Sequence, residues 1–144
     1  MPSNPPENTP RITPYLLYED VAAMLDWLTK AFGLRESLRM KGADGKVTHA
    51  EMRLADGVVM MGCPGPKYRN PKHVGHVTQS LHIYVDEVDE HFAHAKNAGA
   101  TILAPPEDQF YGDRRYAAED PEGHRWYFAQ HVRDVTDNEI AAHQ

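Results

Sequence analysis

His49 and Glu51 stand two residues apart in a strand-like run, so their side chains share one face of it. His82 sits in a second such run, Ser80 to Val85. Histidine exchanges a proton near neutrality, and a carboxylate serves as base or as orienting group, so these three are the candidates for acid–base catalysis. The same three donors would also suit a divalent-metal site. Against both stands the plainer reading of a hydrogen-bonded histidine on the polar face of a sheet. Residues i and i+2 of a strand are about 7 Å apart, so Glu51 is expected to orient His49 only if the two meet across strands. Arg53 continues this face and either pairs with Glu51 or meets an anionic ligand.

Tyr15, Tyr84 and Tyr127 fall at the parity of these polar positions, where aromatic walls suit a planar or amphipathic ligand or simply fill space between sheets. His82 and Arg115 join them as candidate ligand contacts. Trp126 and Phe128 have the opposite parity and are assigned to the core. Arg114 is read as structural. Cys63, before Pro64, has no base that sequence can place beside it and reads as a passive thiol. There is no G-x-G-x-x-G, P-loop, H-E-x-x-H or G-x-S-x-G motif.

The elements that must carry these residues occur twice. Ile12 to Tyr18 is β-rich, and Asp20 can cap a helix whose apolar face is Val21, Met24, Leu25, Leu28 and Phe32, stopped by Gly33. Leu34 to Lys41 and Val47 to Leu54 form a hairpin around Asp44-Gly45, and Val58 to Gly62 follows. The second copy runs through Ser80 to Val85, a helix capped by Asp86 and ended by Gly99, Thr101 to Leu103, and a hairpin from Arg114 to His131 turning at Asp120 to Gly123. Pro105-Pro106 confines its strand to an edge or interrupts it. Gly33 and Gly99 lie 66 apart, as do Gly57 and Gly123, while Val21 and Val88 lie 67 apart. One single-residue gap reconciles the copies.

The organisation read from this is a disordered tail at 1–10, a first βαβββ module at 11–62, a connector at 63–79, a second module at 80–131, and a C-terminal tail at 132–144. Thr136 and Glu139 there form a capping box for a short helix. The connector is either a lid or a plain linker. The fold class is α+β, with two curved mixed sheets side by side around a cleft and a helix on the back of each.

Bulk properties narrow the function. A net charge of −6 argues against a nucleic-acid-binding surface. The start, Met1 to Pro10, is polar and proline-rich and does not read as a signal peptide, no run is long enough to span a bilayer, and one cysteine favours a reducing, cytoplasmic setting.

With these modules in place the chain resembles the vicinal oxygen chelate superfamily of glyoxalases, bleomycin- and fosfomycin-resistance proteins and extradiol dioxygenases, most closely its PhnB-like branch. The resemblance spans about residues 11–135. It rests on Ile12-Thr13-Pro14-Tyr15-Leu16, His49-Ala50-Glu51, Ser80 to Val85, Gln109 to Arg114, and Asp120-Pro121-Glu122-Gly123-His124-Arg125-Trp126. Metal-dependent members of that family hold a divalent ion with His, Glu or Gln from the first and last strand of each module. The resemblance, aligned through Gly57 and Gly123, puts those positions at Thr13, Met61, Ser80 and Tyr127. Hydroxyl, thioether and phenol are poor ligands for such an ion, so no metal and no other cofactor is expected. The resemblance also implies a homodimer. Two functions follow from it. One is a metal-independent protein that binds a small organic ligand in an aromatic cleft. The other is an enzyme, a glyoxalase-like lyase or isomerase or a dioxygenase, using a divalent metal or an acid–base pair such as His82 with Glu51.

Overall fold

Asp20 begins the first helix as its composition demands. Its carboxylate accepts from the Ala23 amide at 3.1 Å, satisfying one of the orphan donors of the first turn. Helix α1 runs Val21–Phe32 and ends where Gly33 enters the left-handed region at φ 76°, a conformation that costs glycine nothing. The computed structural model describes residues 1–143, and these divide into two units, Met1–Gly75 and the remainder from His76 onward.

The first unit is a four-stranded mixed sheet backed by α1. Its strands are β1 (Tyr15–Leu17), β2 (Arg35–Lys41), β3 (Val47–Leu54) and β4 (Gly57–Gly62), in the order β1-β4-β3-β2. Strand β1 is parallel to β4, and the other pairs are antiparallel. It is shorter than the Ile12 to Tyr18 run predicts. Pro14 has no amide to donate and contributes only its carbonyl, which accepts from Met60 N–H at 2.9 Å. Leu16, Ala50, Met52, Val59 and Met61 turn toward α1 and are buried with Leu25, Leu28 and Phe32. Each large apolar side chain so buried contributes about 1.5–3 kcal/mol.

Residues 63–75 do not hang loose from this unit. The Tyr68 hydroxyl donates to the Leu17 carbonyl at 2.8 Å, and Glu19 accepts from the Asn70 amide at 3.0 Å and meets His73 Nδ1 at 2.6 Å. Short helix α2 (Pro71–Val74) forms there, capped by Asn70. The Asn70 amide is also the main reason the Glu19 carboxyl is held below its ordinary range.

The second unit repeats the plan with β5 (Ser80–Tyr84), helix α3 (Val88–Asn97), β6 (Thr101–Asp108), β7 (Asp113–Glu119) and β8 (Arg125–His131), in the order β5-β8-β7-β6. Strand β6 carries Pro105-Pro106 as a continuous edge strand, with its register shifted between Ala104 and Glu107. The expected Asp86 cap is not used. Glu87 occupies the cap position without a side-chain bond, and the Val88 amide is taken by the Gln130 side chain of β8 at 3.0 Å. Helix α3 buries little beyond Val88 and Ala95, so the core here is aromatic. Tyr116 stacks on Phe128 at 5.3 Å between ring centres, and Trp126 and Phe128 are fully buried, as their parity predicts.

Asp120, in the turn before β8, is buried. It accepts from the Glu122 and His124 amides and from the Trp126 indole, at 3.0, 3.1 and 3.0 Å. Helix α4 (Asp137–His143) follows the predicted capping box, with the Glu139 amide on the Thr136 hydroxyl at 3.1 Å. Among the described residues no helix is long and apolar enough to cross a membrane.

The repeat is real in register but not where the glycines put it. Leu16 pairs with Met61, and Ile83 pairs with Phe128, both toward the helices and both 67 residues apart between copies. The turn from β3 to β4 is two residues, 55–56, whereas that from β7 to β8 is five, 120–124. Gly57 and Gly123 are therefore not equivalent, and strands aligned through them slip by one residue.

Candidate functional site

Each sheet has a face away from its helix, and the candidate residues lie there. In the first unit cross-strand registers lay out two rows over four strands. One is Leu17, Gly62, His49 and Met40, and the other is Tyr15, Met60, Glu51 and Leu38. Polar side chains occupy β3, and apolar ones flank them. Leu17 is 38% exposed, Leu38 40%, Tyr15 45% and Met40 51%.

Three of these side chains are joined. His49 Nε2 lies 3.0 Å from Glu51 Oε2, and His49 Nδ1 lies 2.8 Å from the Tyr15 hydroxyl. An ionised carboxylate can only accept, so in the neutral imidazole Nε2 carries the hydrogen and Nδ1 accepts from the phenol. Contrary to the expectation from strand spacing, His49 and Glu51 bond along one strand. The two side chains lean together and close the gap between their Cα atoms.

Tyr15 is on β1 and His49 on β3, with β4 between them. The intervening residue is Gly62, and a Cβ there would stand 2.6 Å from the Tyr15 hydroxyl. The missing side chain is what lets the phenol cross the strand. Sequence reasoning missed this role, although a glycine at a strand end is a signal of close approach. Arg53, further along β3, donates to the Asn8 carbonyl at 2.9 Å and meets the tail rather than Glu51.

In the second unit the open face carries the row Tyr84, Ala129, Arg115 and Glu107 and the row His82, Tyr127, Ala117 and Ala104. The Arg115 guanidinium lies over the Tyr127 ring, 4.9 Å from its centre, rather than against Glu107. His82 and Tyr84 make an edge contact at 5.1 Å. Arg114, one residue off in parity, turns to the helix side and pairs with Asp89 at 3.0 Å and Asp108 at 3.2 Å. Its structural reading holds.

At the end of this face Tyr84 donates to Asp113 at 2.8 Å, Asp113 meets His131 Nδ1 at 2.8 Å, and His131 Nε2 meets Asp134 at 2.6 Å. Asp134 first and Asp113 second hold the His131 imidazole above its ordinary range, and Asp113 does the same for the Tyr84 phenol. Asp113 and His131 were not singled out from sequence. The parity of Asp113 with Arg115 on β7 was the available signal.

The four positions that the family resemblance marks as metal ligands do not make a donor set for a divalent ion. Thr13 precedes β1, and Ser80 begins β5. Met61 is a correction: it is fully buried toward α1, and the residue in register with Tyr127 is Met60. The set so corrected, Thr13, Met60, Ser80 and Tyr127, still offers hydroxyl, thioether and phenol, which do not fit such an ion. Among the described residues no three or more His, Cys, Asp and Glu side chains gather in a metal-holding group.

The model of the glyoxalase/bleomycin resistance protein/dioxygenase superfamily matches residues 11–128. An uncharacterized protein of Mycobacterium bovis is 39% identical over 139 residues, covering 92% of this chain and 91% of that one. The crystal structure of TioX from Micromonospora sp. ML1 superposes with a TM-score of 0.71 at 35% identity, over 86% of this chain and all of that one. The fosfomycin resistance protein FosX of Listeria monocytogenes, at 14% identity and a TM-score of 0.62, shares the fold over 91% of this chain and 97% of its own.

Proposed function

The chain belongs to the glyoxalase/bleomycin resistance protein/dioxygenase superfamily, and from that premise we propose that it binds a small organic ligand on its open sheet faces without a metal. The observation that carries this is the first unit's face, where Tyr15, Leu17, Leu38 and Met40 remain exposed around His49 and Glu51. Single exposed apolar residues need no explanation, but neighbouring ones in register around a polar centre make a surface that favours an amphipathic partner. Methionine adapts to irregular ligands, and tyrosine offers area with few rotatable bonds. In the second unit Arg115, held over Tyr127 and without a carboxylate partner among the described residues, adds preference for a ligand with an anionic group.

The hydroxyl, thioether and phenol donors do not fit a divalent ion. The PhnB-like placement, a cytoplasmic setting and a homodimer belong to the same reading and rest on the sequence motifs, the lone cysteine and the family resemblance.

A thermal-shift screen with aromatic and peptide-like antibiotics tests it. A member of the panel present at a hundred times its dissociation constant stabilises the fold by about 2.7 kcal/mol. The reading fails if none raises the melting temperature.

A further inference from the structure

We propose that Tyr15, His49 and Glu51 form a proton relay that makes the Tyr15 phenol oxygen a nucleophile toward acyl- and sulfonyl-type electrophiles. The geometry has the order such a relay needs. Glu51 fixes the His49 tautomer through Nε2 at 3.0 Å, and the Nδ1 lone pair faces the Tyr15 hydroxyl at 2.8 Å. This is the nucleophile, base and orienting-acid arrangement that activates hydroxyls elsewhere, here with a phenol in the first place. Tyr15 is 45% exposed and its bond to His49 lies at the exposed surface, while the His49 and Glu51 side chains are half-buried. The hydroxyl hydrogen is committed to Nδ1, which leaves the oxygen lone pairs to the open face. Gly62 holds the register, because any side chain there would occupy the hydroxyl's position.

The step balances within the three side chains and the reagent. With an arylsulfonyl fluoride, the Tyr15 oxygen–sulfur bond forms and the sulfur–fluorine bond breaks. Fluoride leaves, and the phenol proton passes to His49 Nδ1. The resulting imidazolium is held by the Glu51 carboxylate until the proton is lost to water. With an activated ester the same attack gives an acyl-tyrosine and releases the alcohol.

The experiment uses p-toluenesulfonyl fluoride on the full chain, with peptide mapping by mass spectrometry over time. Tyr68 is the internal comparator. Its hydroxyl donates to the Leu17 backbone carbonyl, which cannot take up the proton. General-base assistance contributes about 10²–10⁴-fold, so Tyr15 is labelled at least tenfold faster than Tyr68. His49→Gln lowers the Tyr15 rate at least tenfold and leaves Tyr68 unchanged. Glu51→Gln gives an intermediate loss, because an amide oxygen still fixes the tautomer but does not stabilise the imidazolium. Circular dichroism confirms that the variants fold, and if His49→Gln does not, Glu51→Gln carries the comparison. Tyr15 reacting no faster than Tyr68, or keeping its rate in both variants, overturns the proposal. The site shares a sheet face with the proposed ligand surface, but labelling needs no bound ligand, so each can fail while the other stands.

Discussion

The Tyr15 hydroxyl occupies the place where Gly62 would carry its side chain, 2.6 Å from an ideal Cβ. The same Cβ would stand 2.9 Å from the Thr48 carbonyl, so it has no free direction. Gly62→Ala is therefore expected to push Tyr15 off His49 and to cost about 1–3 kcal/mol in overpacking. Urea denaturation measures the loss. Tyr15→Phe, which keeps the ring and removes the bond, should cost about 1 kcal/mol. Equal stability of Gly62→Ala and wild type would contradict the packing described.

The sign of one pH effect follows from His131. Its folded value is raised above the ordinary 6.5, chiefly by Asp134 and then by Asp113. The folded state thus holds the proton more tightly than the unfolded chain. The stabilisation is fully present below the unfolded value and is lost as pH rises through the folded one. Urea melts at about pH 6 and about pH 9 should show a decrease that His131→Gln reduces. The difference between the two proteins is the quantity to read, because Glu19 and Tyr84 also shift.

Asp120 offers a sharper stability test. It satisfies two amides and the Trp126 indole inside the second unit. Asp120→Ala takes the shared acceptor from all three donors, of which the Glu122 amide and the Trp126 indole bond are buried and the His124 amide is part-buried, so a loss of at least about 2 kcal/mol is expected by denaturant titration. Asp120→Asn keeps one acceptor oxygen and should lose less.

Metal removal should change nothing under the binding reading. Protein purified without a histidine tag is expected to carry no stoichiometric divalent ion, and chelator treatment should leave its melting temperature unmoved. Plasma mass spectrometry and a paired thermal scan check both. A stoichiometric ion lost on His82→Ala would favour the metal-enzyme alternative.

Much of the fold was legible because it is written in short-range chemistry. The Asp20 cap, the Gly33 stop, the alternation of Ala50 and Met52 with His49 and Glu51, and the core placing of Trp126 and Phe128 all depend on local geometry. What was illegible depended on register. A three-residue difference between the 55–56 and 120–124 turns changed which β4 residue matches Tyr127, and moved the inherited position from Met61 to Met60. The Tyr15 to His49 bond spans two strands across a glycine, and strand spacing alone argued against the His49 to Glu51 contact. The Gln130 cap of α3 likewise comes from a strand 42 residues away.

The most direct measurement is amide and methyl NMR of the full chain titrated with the antibiotic that gives the largest thermal shift, repeated with Met40→Glu. The account predicts perturbations at Leu17, Leu38, Met40 and His49, and at least tenfold weaker binding in the variant. Perturbations confined to the exposed sides of α1 and α3, or undiminished affinity in Met40→Glu, would contradict it.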